Sequence, residues 1–236
     1  MEAICGRRLA SAFVCALMFF GAAPAAHADS GVTAFPGMQI RQGDTACMVG
    51  FVQLRLHVAL TTGQCGNGPI VTDRDGHLVG AVMMARRQVA VDASDNAALP
   101  VEYEVIMLAP EVTATDVLPT GRHLREAPAL DAQQGLPVCQ FRVSAGQRCG
   151  SIGPVSNGRF TIPDMAVDNR DFGGPVYALT DDGDAVVVGL YEGMWRSAPE
   201  LETWQAVMRQ LYIDAHSRGE QRPQPPSEVR LAGRTA

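Results

Sequence analysis

Few side chains in this 236-residue sequence have the types and spacing that covalent or acid–base chemistry needs. All 19 basic residues are Arg. Without Lys there is no Schiff-base amine, no Ser–Lys dyad and no phosphate loop ending in Gly-Lys-Ser/Thr. The histidines past the amino-terminal segment are His57, His77, His123 and His216. His57 lies on an apolar run, and His77 follows the Asp75-Gly76 turn signal. His123 sits among Arg122, Arg125 and Glu126, and His216 ends a helix-like stripe, where a cation suits the helix dipole. Ser144, Ser151 and Ser156 surround a cysteine pair, but none has an evident base beside it. The cysteine spacings are not those of a zinc site. Neither a metal nor a cofactor is expected.

The cysteines and the amino terminus speak to compartment. Arg7 and Arg8 precede an apolar run from Leu9 to Phe20, and Ala26-His27-Ala28 has the small-x-small form of a signal-peptidase site. Residues 1–28 are therefore expected to be a Sec-type signal peptide, cleaved before Asp29, giving a secreted or cell-envelope protein. That run is too short to span a bilayer, and no later segment is apolar enough to do so. Setting aside Cys5 and Cys15 leaves Cys47, Cys65, Cys139 and Cys149. An even number in an oxidising compartment implies two disulfides with three possible connectivities. Two local bridges, Cys47–Cys65 and Cys139–Cys149, are the expected pairing. A net charge of −6 without a basic stripe argues against a nucleic-acid partner.

The elements that must position these residues are short. Apolar runs at Cys47–Leu54, His57–Thr61, Leu78–Met84, Glu102–Leu108, Val138–Val143, Gly174–Leu179 and Ala185–Tyr191 read as strands bounded by Gly, Pro, Asn or Asp. Met83-Met84 and Arg86-Arg87 fit a strand end. Asp75-Gly76, Asn157-Gly158 and Asp182-Gly183 are hairpin turn signals. Such spacing predicts an all-β sandwich or barrel. The strands fall into two groups, about 38–112 and 119–198, each with one cysteine pair, and Pro110 to Gly121 connects them. Over 199–216, Leu201, Trp204, Met208, Leu211 and Ala215 recur at helical spacing, with Trp204 as a core contact. The tail 217–236, with Pro223, Pro225 and Pro226, is expected to be disordered.

Four motifs then occur in order between about 47 and 193. Cys47-Met48-Val49-Gly50-Phe51-Val52, followed by Leu60-Thr61-Thr62-Gly63-Gln64-Cys65-Gly66, resembles Cys-x-Val-Gly-Phe and Leu-Thr-Ala-Gly-His-Cys of secreted chymotrypsin-like serine proteases. The bacterial group with alpha-lytic protease and the streptogrisins is the most similar. Glu102-Tyr103-Glu104-Val105-Ile106-Met107-Leu108 resembles their Asp-Tyr-Ala-Val-Ile-x-Leu. Pro137-Val138-Cys139 to Cys149-Gly150 resembles their second disulfide loop, and Asp171-Phe172-Gly173-Gly174-Pro175-Val176-Tyr177 their Asp-Ser-Gly-Gly-Pro-Val-Tyr. The resemblance implies two six-stranded-type antiparallel β-barrels followed by a C-terminal α-helix.

It also implies where a peptidase site stands, and every triad position is altered. Gln64 occupies the place of the general base, and its amide cannot shuttle a proton near neutral pH. Phe172 occupies the place of the nucleophile and offers no nucleophilic atom. Glu102 occupies the acid position with no imidazole to orient. In the oxyanion loop, Arg170 replaces a family Gly ahead of Asp171 and Gly173, while Asp171 keeps the residue type of a buried ion-pair partner. Phe172, Tyr191 and Glu192 are expected to line and fill the old specificity pocket. Loss of the Ser or His alone costs about 10⁶-fold in a related mechanism. The expectation is a catalytically inactive homologue, a pseudoprotease, that binds a protein, peptide or envelope ligand. The alternative is a residual or rewired hydrolase.

Overall fold

The computed structural model describes residues 31–66, 68–87, 101–163, 165, 168–195 and 198–220. The expected signal peptide, and the tail beyond residue 220, lie outside the described residues. Short runs form the first group of strands: β1 (Thr33–Ala34), β2 (Gln39–Gln42), β3 (Thr45–Met48), β4 (Phe51–Gln53), β5 (Val58–Thr61), β6 (Ile70–Asp73), β7 (Leu78–Arg86), β8 (Tyr103–Leu108) and β9 (Thr113–Ala114). Seven of them make an antiparallel sheet in the order β3-β2-β6-β7-β8-β5-β4, while β1 pairs with β9 in parallel. The second group is β10 (Leu124–Arg125), β11 (Pro137–Arg142), β12 (Gly146–Ser151), β13 (Val155–Ser156), β14 (Arg159–Thr161), β15 (Pro175–Leu179), β16 (Ala185–Trp195) and β17 (Ala198–Thr203). Their order is β12-β11-β15-β16-β17-β14-β13, with β10 parallel to β16.

The all-β class with one C-terminal helix is as expected, with seven and eight strands in the two sheets among the described residues. The strands missed in the sequence, such as β2, β12 and β14, are short and largely polar. Ile40, Ala59, Val71 and Ile106 fill the first sheet's interior, and Val138, Phe160, Val176 and Val188 fill the second's. A third apolar layer, including Phe51, Tyr103, Leu124 and Leu190, lies between them. Each Val, Ile, Leu or Phe side chain among these stabilises the fold by about 1.5–3 kcal/mol on burial. Disulfides join Cys47 to Cys65 and Cys139 to Cys149.

The helix boundary corrects the sequence reading. Residues 199–203 belong to strand β17, and helix α1 spans Trp204–Glu220, so it also takes in the start of the expected tail. Thr203 explains the switch, because its Oγ1 accepts the Ala206 N–H at 3.2 Å and caps the helix. Trp204 and Val207 pack into the layer between the sheets, with the indole 4.9 Å from the Phe51 ring. Among the described residues, no helix is long and apolar enough to cross a membrane.

Candidate functional site

The segments carrying Gln64, Glu102 and Phe172 converge at the junction of the two sheets. Pairing of Thr61 with Glu104 sets the end of β5 beside the start of β8. A Cβ at Gly63 would stand 2.2 Å from the Arg86 carbonyl and 3.0 Å from Glu102 Cβ, so the motif glycine permits this close approach. Gly173, at φ +77°, brings the Phe172 loop against the same turn; a Cβ there would lie 2.0 Å from Thr61 Oγ1. The loop is held further by Met48 N–H donating to the Phe172 carbonyl at 2.7 Å and Gly173 N–H donating to the Tyr191 carbonyl at 2.8 Å.

Within this frame Gln64 and Phe172 differ in burial. Gln64 is exposed. Phe172 is half-buried, packs against the interiors of both sheets, and stacks on Tyr191 with ring centroids 5.5 Å apart and an interplanar angle of 22°. In a serine protease the oxyanion is held by the N–H groups of the nucleophile and of the residue two before it. Here Asp168 caps the 3₁₀ turn Asn169–Asp171, and its side chain accepts the Arg170 N–H at 3.0 Å. The Phe172 N–H points to the Asn169 carbonyl at 3.5 Å. Both positions that would face an oxyanion are thus turned into the loop. Arg170 lies outside, paired with Asp168, whose carboxyl is lowered to about 2 chiefly by hydrogen bonding from that guanidinium. Asp171 is fully buried, where Arg142 Nε and the Val143 N–H each donate to it at 2.9 Å.

The expectation that Glu192 lines the cleft is corrected. Pairing of β16 with β17 slips between Tyr191 and Gly193, so Glu192 is the extra residue of a bulge. Its side chain turns inward, is 1% exposed, and accepts a hydrogen bond from Thr62. It meets two further buried carboxylates there. Glu202 is fully buried, accepts the Glu102 N–H at 2.9 and 3.0 Å, and receives Arg159 Nη2 at 3.0 Å. Burial first, then the Glu202 charge, raises the Glu192 carboxyl well above its ordinary range. Burial also pushes Glu202 up to about 8. A carboxyl held protonated at neutral pH is what a general acid requires. Glu102, Glu192 and Glu202 are nevertheless each no more than 1% exposed.

Gln64, Glu102, Phe172 and Tyr191 were expected at the site from the sequence, whereas Thr62, Arg142, Arg159 and Glu202 were not. Only Arg142 had a readable signal, the need of Asp171 for a buried cation. His57 stands before β5, at the opposite end of that strand from Gln64, and its Nε2 lies 3.2 Å from the Ala109 carbonyl. His77 and His123 are exposed beside Asp73 and Asp116, at 3.0 and 2.8 Å. Asp73, Asp75 and His77 cluster at the exposed β6–β7 turn, where Asp73 accepts the Asp75 and His77 N–H groups that shape it.

No protein-family model matches the sequence. Two Mycobacterium tuberculosis proteins, "Uncharacterized protein Rv1815" and "Uncharacterized protein MT1863", are 36% and 38% identical over 201 and 202 residues, covering 84% of this chain and 91% of each relative. Among solved structures, the fold is similar to that of a glutamic-acid-specific serine protease (TM-score 0.56, 14% identity, 77% of this chain and 98% of that one). The Cellulomonas bogoriensis chymotrypsin gives a TM-score of 0.55 at 16% identity, over 76% of this chain and 96% of its own. A scabies mite inactivated protease paralogue gives 0.50 at 9% identity, over 76% and 93%. The architecture is chymotrypsin-like.

Proposed function

Since the chain belongs to the family of these two mycobacterial proteins and has the chymotrypsin-like fold, we propose that it is a secreted or envelope-associated pseudoprotease that acts by binding. One observation carries the reading. The positions of base, acid and nucleophile hold Gln64, Glu102 and Phe172, and the loop's own acceptors take the N–H groups that would face an oxyanion. The stacked pair Phe172–Tyr191 occupies space beside the former nucleophile. The same fold occurs in a mite protein described as an inactivated protease paralogue. Two disulfides favour an oxidising compartment outside the cytoplasm.

A rewired hydrolase would need its own acid–base pair in contact with solvent. Glu192 and Glu202 have the raised protonation such chemistry uses, but their burial counts against it. A fluorophosphonate probe, which labels activated serine nucleophiles, tests the reading. The folded protein is expected to remain unlabelled from pH 5 to 9. Stoichiometric labelling that is lost on denaturation would overturn it and identify the nucleophile by peptide mapping.

A further inference from the structure

Among the described residues the second sheet is open between its end strands, β12 and β13. A cavity of about 760 Å³ lies on the β12 side of this seam, within the span of ligand pockets, about 300–1,000 Å³. One wall is the continuous run from Arg148 to Pro154, and Pro163 and Met165 also line the space. The seam is pinned beyond β12, where the Gly153 N–H donates to the Thr161 carbonyl at 2.7 Å.

Two cations converge on this cavity. Arg142 lines it with a side chain only 8% exposed. Its Nε is committed to Asp171, while its two terminal nitrogens have no hydrogen-bond partner among the described residues. In the β11–β12 register Gln140 faces Arg148 and Arg142 faces Gly146, which makes Arg148 the diagonal neighbour of Arg142 on one face of the hairpin. Arg148 is exposed and, among the described residues, donates only to the Gln147 carbonyl, at 3.2 Å. Asp171 offsets the charge of Arg142, so Arg148 leaves one positive charge uncompensated. That matches a single carboxylate rather than a phosphate dianion. β12 is also an edge strand, and its outward N–H and C=O groups can pair with an extended chain.

We propose that this seam binds the carboxy-terminal end of an extended peptide, paired along β12, with the terminal carboxylate held by Arg142 and Arg148. Ile152, Pro163 and Met165 supply apolar contact for the last side chains of that peptide. This inference rests on the binding function above and names its ligand class.

The test exposes immobilised protein to a degenerate hexapeptide pool, prepared once as free acids and once as amides, with the retained fraction read by mass spectrometry. Free acids are expected to be retained about 10- to 100-fold better than amides, the loss expected for a charge-assisted hydrogen bond. Arg148→Gln, an exposed change whose folding is checked by its melting temperature, is expected to erase that ratio. Equal retention of acids and amides, retention of neither, or amides retained through internal Asp or Glu would each overturn the proposal. Truncated peptides in the same spectra would count against the binding-only function, while the acid-to-amide ratio reads the seam alone.

Discussion

At the scale of single residues, the proposed pseudoprotease would not be returned to activity by one substitution. Phe172→Ser supplies a hydroxyl, but Gln64 cannot take its proton. The double variant Phe172→Ser with Gln64→His restores the pair on paper, yet Asp168 still holds the Arg170 N–H. Both variants are expected to cleave a fluorogenic peptide no faster than buffer; turnover by the single variant would mean that another group serves as base. Glu192 makes a second case. One of its oxygens has no partner among the described residues, and its carboxyl is raised by burial and by Glu202. Glu192→Gln keeps the shape without the charge. It is expected to raise the melting temperature at pH 8 more than at pH 5, and an equal shift at both would show that charge is not the cause.

At the scale of elements, the frame depends on close approaches that a side chain would spoil. Gly173→Ala places a Cβ against Thr61 Oγ1 at a φ that L-residues avoid, so a loss of about 1–3 kcal/mol in denaturant stability is expected. Trp204→Ala removes the indole that docks α1 on Phe51, with an expected cost of about 3–5 kcal/mol. Much of this frame was legible in the sequence. The Cys47 and Cys65 motifs, the Asp171-Phe172-Gly173-Gly174 turn and the short apolar runs placed the strands. The inward turn of Glu192 was not legible, because a bulge shifts alternation by one residue without changing composition. Glu202 was hidden for another reason: Leu201 and Trp204 share a helical spacing, which drew residues 199–203 into the helix although they pair with β14 and β16.

At the scale of the whole molecule, the buried carboxylates shape the response to pH. Glu202 rises from an ordinary 4.5 to about 8 on folding. Between those values the folded chain holds a proton that the unfolded chain has lost, so this contribution to stability is full below about 4.5 and declines as pH rises through 8. Melting temperatures are therefore expected to fall from pH 5 to pH 8, and a rise over that window would contradict protonated carboxyls in the core. Fold class was visible because family motifs are local in sequence. The seam and its paired arginines were not, since they depend on which strands end a sheet. The most direct test of the central claim is incubation of the purified protein with a diverse peptide library, read by mass spectrometry without any assumption about the nucleophile. The account predicts no new termini above a heat-inactivated control. Cleavage that persists through repurification and follows the protein's own elution profile would contradict it.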